Sequence, residues 1–167
     1  MSELDKRSWV IRPANTGDAS AVTECVDLAY RHYADRIGKP PGPMTDDYLD
    51  IIREHEVHVV EPIPAIPGKI LALLVLIASP EQFLLDNVAV QPKAQGIGIG
   101  GSLIAFAERR AIQSGYDRIQ LYTHECMTEN LDMYPKLGYH QSGRLLERGY
   151  QRVYFEKRLD LESDKVD

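Results

Sequence analysis

The sequence predicts a mixed α/β (α+β) fold: a mostly antiparallel sheet of six to seven strands, flanked by helices on both faces. Three observations carry this. The chain has 167 residues, about one domain's worth. The apolar periodicity switches between strand and helix spacing in the order β-α-α-β-β-β-α-β-α-β-β. An antiparallel run followed by a β-α-β crossover then requires a mixed sheet. Residues 1–167 read as a single domain, with 160–167 as an acidic, frayed tail.

Ser8 to Arg12 is a short strand stopped by Pro13. Asn15 or Thr16 caps the next helix, with Asp18 facing its dipole. Val22, Cys25, Val26, Ala29 and Tyr33 recur along one helical face, and the Gly38–Pro43 segment breaks it. Thr45 is placed to cap a second helix carrying Tyr48, Leu49, Ile51 and Ile52. Val57 to Val60 is a strand, and Pro62, Pro64, Pro67 and Gly68 make the turn after it. Lys69 to Ala78 is nearly all apolar, as a strand covered on both faces should be. Gln82 to Val90 follows as a strand closed by Pro92, and a helix runs from about Gly98 to Ser114. Arg118 to His124 is a strand, and Thr128 caps a short helix that stops at Gly138. Tyr139–Leu146 and Tyr150–Leu159 close as a hairpin around Arg148-Gly149.

Composition excludes several classes. Apolar residues are 44% and charged residues 26%, ordinary for a soluble domain. The net charge of −6 argues against a nucleic-acid binder, which needs a basic surface. Half of that charge sits in the last eight residues, where four acids outweigh one lysine. The N-terminal MSELDKRSWV lacks a signal-peptide core, and the longest apolar run is too short to span a bilayer. A cytoplasmic protein without a membrane partner is expected. Cys25 and Cys126 form no C-x-x-C pair, and His55 and His58 are one residue too close for a zinc helix, so no metal is expected.

The window Val88–Ser102 carries the chemistry. Between a strand and a helix stand Gly96, Gly98, Gly100 and Gly101. Glycines let backbone approach a ligand, and free N–H groups at a helix start face an anion. A phosphate or pyrophosphate is the natural guest. Gly96, Gly98 and Gly101 also spell G-x-G-x-x-G, but QPKAQ separates them from the strand end and no doubly wound repeat surrounds them. The second pattern is Q/R-x-x-G-x-G/A, met by Gln95, Gly98 and Gly100 after a strand ending V-A-V-x-P.

With that window, the sequence resembles the GNAT superfamily of acetyl-CoA-dependent N-acetyltransferases. Met133-Tyr134-Pro135-Lys136-Leu137-Gly138-Tyr139 resembles a second family signature, and the element order matches from about Val10 to Leu159. The resemblance implies splayed fourth and fifth strands, with acetyl-CoA, the co-substrate, lying in the gap. It implies that backbone groups of Val88, Ala89 and Val90 hold the pantetheine arm. It also implies that N–H groups of Gln95, Gly96, Ile97, Gly98, Ile99, Gly100 and Gly101, with the Ser102 hydroxyl, hold the pyrophosphate. Tyr134 takes the place of the family's general acid, and Asn130 that of a cofactor-contacting asparagine, though closer to the tyrosine than usual. Pro135 removes a helical hydrogen bond to Leu131, so a short or bent helix is expected there.

The general base stays open among Asp86, His124 and Glu125, with water relay as a further route. Asp86 shares a strand face with Leu84, Val88 and Val90. Tyr122 falls where ribosomal alanine acetyltransferases keep a glutamate. The resemblance implies a small-molecule or peptide amine acceptor, gripped by the first two helices and the closing hairpin, where Arg36 and Lys39 offer positive charge. The assembly is a monomer or homodimer. Two other readings remain: a GNAT-like module that senses CoA without turnover, and a dinucleotide-dependent oxidoreductase.

Overall fold

The structure, a computed structural model, describes residues 8–160. Most of the acidic tail therefore lies outside the described residues. The strands form a seven-stranded sheet in the order β1-β2-β3-β4-β5-β7-β6. They are β1 (Trp9–Pro13), β2 (Glu56–Pro62), β3 (Ala72–Ala78), β4 (Phe83–Val90), β5 (Arg118–His124), β6 (His140–Glu147) and β7 (Tyr150–Arg158). The helices are α1 (Ala19–Tyr30), α2 (Ala34–Ile37), α3 (Tyr48–Glu54), α4 (Ile99–Gln113) and α5 (Thr128–Lys136). The expected order holds, with the one-turn α2 added where α1 was expected to run on. Two compact units divide the chain: residues up to Leu76 with Asn87–Ala105, and Ile77–Asp86 with the residues from Phe106 onward.

In the first unit, β1 pairs antiparallel with β2, from Trp9–Pro62 to Pro13–His58, and β2 pairs antiparallel with β3. Asn15 starts the chain toward α1 with a full capping box: its side chain accepts from Gly17 N–H, and Asp18 accepts from Asn15 N–H. Arg12 grips the same Asp18 through two bonds of 2.8 and 2.9 Å. That guanidinium holds the Asp18 carboxyl below its ordinary range. Val22, Cys25, Val26 and Ala29 bury one stripe of α1. Thr45 does not cap α3; its hydroxyl donates to Gly42 C=O, and Asp47 accepts from the N–H groups of Leu49 and Asp50 instead. The intervening 3₁₀ turn at Gly42–Thr45 moves the helix start two residues on. β3 is buried on both faces as expected, but its ladder starts at Ala72; Ile70 and Leu71 are buried before it.

In the second unit, β4 runs parallel to β5 through two residue pairs, Leu84–Gln120 and Leu85–Leu121. β5 pairs antiparallel with β7 from Arg118–Arg158 to His124–Arg152. β7 pairs antiparallel with β6, with a bulge between Gln141 and Gly143. The turn between them has both central residues at positive φ, Arg148 at 51° and Gly149 at 82°, the arrangement that suits the sheet's twist. Ile119, Leu121, Val153 and Phe155 face inward; Arg118, Gln120, Tyr122, Arg152 and Tyr154 alternate with them.

Candidate active site

The glycine turn follows β4 in the first unit. Pro92–Ala94 forms a 3₁₀ turn and α4 begins at Ile99, whose side chain is buried. Gly96 and Gly98 have φ of 84° and 90°, which other residues rarely adopt. Gly100 and Gly101 are different. They lie in the first turn of α4, without positive φ, and a Cβ there would meet at most an ordinary contact with Val90. Glycine in a helix costs about 1 kcal/mol against alanine. Among the described residues no close contact at the Cβ position requires these two, whereas a ligand lying on the backbone would. Ser102 N–H closes the first helical bond to Gly98 C=O at 3.0 Å, so the amides ahead of it start the helix without i−4 carbonyls inside it.

Other expected cofactor positions carry protein bonds of their own. Gln95 N–H points to Pro92 C=O at a long 3.4 Å, and its side-chain amide donates to Val90 C=O at 3.2 Å. Val88 C=O accepts from Tyr30 OH at 3.1 Å. A carbonyl has two lone pairs, so neither bond closes these groups to a second donor. Ala89 is buried and Val88 and Val90 half-buried on β4. Asn87, unremarked in the sequence, is the polar centre beside them at 4% exposure. Its amide accepts from Tyr30 OH at 2.6 Å and donates to Tyr48 OH at 3.1 Å, and Tyr48 OH donates to Pro43 C=O. Tyr48 is thus a core residue that fixes the loop before α3.

Tyr134 stands in the second unit at the end of α5, 4% exposed. Pro135 follows it inside the helix, which ends at Lys136 as the proline predicts. The end is a complete Schellman motif. Tyr139 N–H bonds Tyr134 C=O and Gly138 N–H bonds Pro135 C=O, both at 3.1 Å, with Gly138 at φ 94°. The Tyr134 ring packs edge-on against Tyr139 at 5.8 Å and against Phe155 at 5.7 Å. Tyr139 is itself anchored, donating to Glu108, which also binds Lys157 at 2.9 Å. Burial pushes the Tyr139 phenol far up, so it stays a donor.

Asp86 lies in the same unit, on the expected half-buried phase of β4. Tyr122 OH donates to its Oδ1 at 2.8 Å. The Arg152 guanidinium sits 4.4 Å from the Tyr122 ring centre, and Tyr154 packs on that ring at 5.5 Å. Tyr154 OH donates to Glu147; burial first, then that carboxylate, push its phenol up to about 12. His124 receives the Cys126 N–H on Nδ1 at 3.0 Å. A neutral imidazole in that arrangement carries its proton on Nε2, so it offers a donor there rather than a lone pair. Glu125 is exposed and faces Arg144 at 3.5 Å. Asn130 donates to Thr123 Oγ1 at 3.1 Å, and Met127 N-caps α5 without a side-chain bond, where Thr128 was expected to cap.

The Asp86–Tyr122 bond and the Arg152–Tyr154–Glu147 cluster were not foreseen. Their only signal was strand alternation, which puts Tyr122, Arg152 and Tyr154 on one face. Cys25 is a poor nucleophile: burial pushes its thiol up to about 12. Among the described residues, no three His, Cys, Asp or Glu side chains gather as a metal site, and no helix is long and apolar enough to cross a membrane.

Comparison with curated proteins finds no match. Solved structures match over nearly the whole chain. PaiA N-acetyltransferase from Thermoplasma acidophilum, in complex with coenzyme A, superposes with TM-score 0.74 at 16% identity, covering 90% of this chain and 99% of that one. The ribosomal-protein-S18-alanine N-acetyltransferase from Escherichia coli gives 0.71 at 16% identity, covering 91% and 94%. A GNAT family acetyltransferase from Elizabethkingia anophelis, with acetyl-CoA bound, gives 0.66 at 19% identity, covering 92% and 100%. These likenesses establish the fold. The family model described as Acetyltransferase (GNAT) family matches residues 24–139, more than half of the sequence and inclusive of both the glycine turn and Tyr134. The chain belongs to the acetyltransferase (GNAT) family.

Proposed function

We propose that this protein is an N-acetyltransferase that moves the acetyl group of acetyl-CoA directly to a primary amine of a small molecule or peptide. The glycine turn carries the reading: Gly100 and Gly101 have no role in packing, and a cofactor resting on the backbone explains them. The N–H groups of Gly98 to Gly101 and the Ser102 hydroxyl take the pyrophosphate, and backbone of Val88 to Val90 takes the pantetheine arm.

The amine acceptor arrives protonated, since a lysine-type amine has a pKa near about 10.4. Asp86 accepts that proton. Tyr122, by donating to Asp86, favours the ionised carboxylate and fixes which oxygen faces the acceptor. The N–C bond forms as the C–S bond breaks, the acetylated nitrogen gives its second proton to water, and Tyr134 gives its phenolic proton to the departing sulfur. The Schellman motif and two ring contacts hold that tyrosine in place. The products are the N-acetylated amine and CoA thiol. Tyr134 recovers a proton through solvent. The raised Cys25 thiol supports direct transfer over a cysteine-borne acetyl intermediate.

Calorimetry with acetyl-CoA, paired with thiol release over a panel of amines, tests the proposal. Binding with amine-dependent release supports it. Binding without release from any amine favours the CoA-sensing module, and selective binding of NADH favours the oxidoreductase.

A further inference from the structure

A second polar site lies on the outward face of β5, β7 and β6, at the Arg118 end of β5. A cavity of about 330 Å³ opens there, lined by Arg118, His140, Gln141, Ser142, Glu156 and Arg158. Its size is at the low end for ligand pockets, enough for a small anion and too small for a nucleotide.

Three features of the chain make this cavity basic. Arg118 and Arg158 are directly opposite in the β5–β7 ladder. Like charges facing each other across strands destabilise a sheet, so the pair needs a counter-charge. One carboxylate lines the cavity, and it is already committed: Glu156 accepts from Arg118 at 3.1 Å and from Gln120 at 3.1 Å. Among the described residues, Arg158 has no carboxylate within ion-pair distance. The bulge in β6 falls between Gln141 and Gly143, which takes Ser142 out of the ladder and onto the cavity wall. Bulges re-aim side chains in this way beside functional sites. His140, opposite Glu156 in the ladder, adds an imidazole to the cavity wall.

We propose that this cavity binds a small multivalent oxyanion of the phosphate type, at a site separate from the acetyl-transfer residues. Arg158 supplies the paired N–H groups that such oxyanions take, Arg118 a second guanidinium, Ser142 a hydroxyl donor and His140 a ring N–H. The ligand supplies Arg158 with a counter-charge, while Arg118 already faces Glu156 at 3.1 Å and Asp117 at 3.5 Å. The site stands apart from the proposed acetyl transfer and does not depend on it.

The test is a titration of the full chain with inorganic phosphate, in the presence of saturating CoA and at ionic strength held constant with chloride. Arginine Nε–H and histidine ring resonances are followed by NMR. The expected result is saturable shifts at Arg158, Arg118 and His140, with half-saturation at about 0.1–10 mM, the range of a weak anion site. Arg158→Gln and Ser142→Ala should each weaken the half-saturation, by about ten-fold and about three-fold, on the scale of a lost charged and neutral hydrogen bond. Both keep the fold, since these side chains stand at the surface. Non-saturating shifts, equal shifts with chloride alone, or unchanged binding in Arg158→Gln would overturn the proposal. If CoA itself fails to bind, the acetyl-transfer reading falls while the phosphate titration still reads the cavity.

Discussion

The glycine turn and the Tyr134 end of α5, the two halves of the proposed site, fix their local structure in opposite ways. The turn works with backbone: two glycines at positive φ and two more in the first turn of a helix, with open space around them. The α5 end works with side chains: a Schellman motif, three packed rings and a Glu108 that ties Tyr139 to Lys157. A backbone site is defined by local conformation and so tolerates little change in a few adjacent residues. A side-chain site is defined by partners far away in sequence and spreads its tolerance over all of them.

That contrast can be broken most sharply at the chemistry. Asp86→Asn removes the proposed proton acceptor; kcat should fall about 100-fold, the lower end for general-base loss, with acetyl-CoA affinity unchanged. Pre-steady-state kinetics and calorimetry read the two separately. At the turn, Gly98→Ala forces a Cβ into φ 90°, and left-handed strain costs about 1–2 kcal/mol. Unfolding free energy should fall by about that amount, and acetyl-CoA binding should weaken as the turn relaxes from the φ that sets its N–H groups. Gly101→Ala sharpens the point, because it carries no strain. It should raise thermal stability, by up to about 1 kcal/mol, and still weaken acetyl-CoA binding.

At the α5 end, Gly138→Ala meets φ 94° and places a Cβ 3.2 Å from Lys157 Cε, which Glu108 holds. A loss of about 1–2 kcal/mol in unfolding free energy is expected from the strain, with kcat lowered and cofactor affinity kept. The smallest effect is remote from both regions. Asp18 is held below its ordinary pKa by Arg12. A carboxyl lowered in the folded state stabilises above its unfolded pKa, and that stability is lost as pH falls through the folded value. Asp18→Asn should therefore cost about 1 kcal/mol at neutral pH, in keeping with a lost cap and a part-exposed ion pair. The difference from wild type should close as pH drops below about 3.9, the ordinary Asp value.

The same contrast explains what the sequence revealed. Glycine spacing betrays the turn because four residues within six set its backbone, and α4 begins within a residue of expectation. The order of elements along the chain was legible because each element carries its own period. The Asp86–Tyr122 bond spans 36 residues of sequence, and the Asn87–Tyr48 bond spans 39. Neither partner signals the other. Asp86 was readable as a candidate by its phase on β4, but its partner came only with the sheet register. Thr45 misled because it is the last residue of a 3₁₀ turn, and the helix is capped two residues further on by Asp47.

In the proposed reaction the chain transfers acetyl groups with Tyr134 as proton donor. Its most direct test is amine-dependent release of CoA thiol from acetyl-CoA, followed in parallel for wild type and Tyr134→Phe. Wild type should release thiol only when an accepted amine is present. The variant should bind acetyl-CoA equally well yet turn over about 100-fold more slowly, the usual scale for a lost general acid. Equal turnover by Tyr134→Phe, or no amine-dependent release from a protein that binds acetyl-CoA, would contradict it.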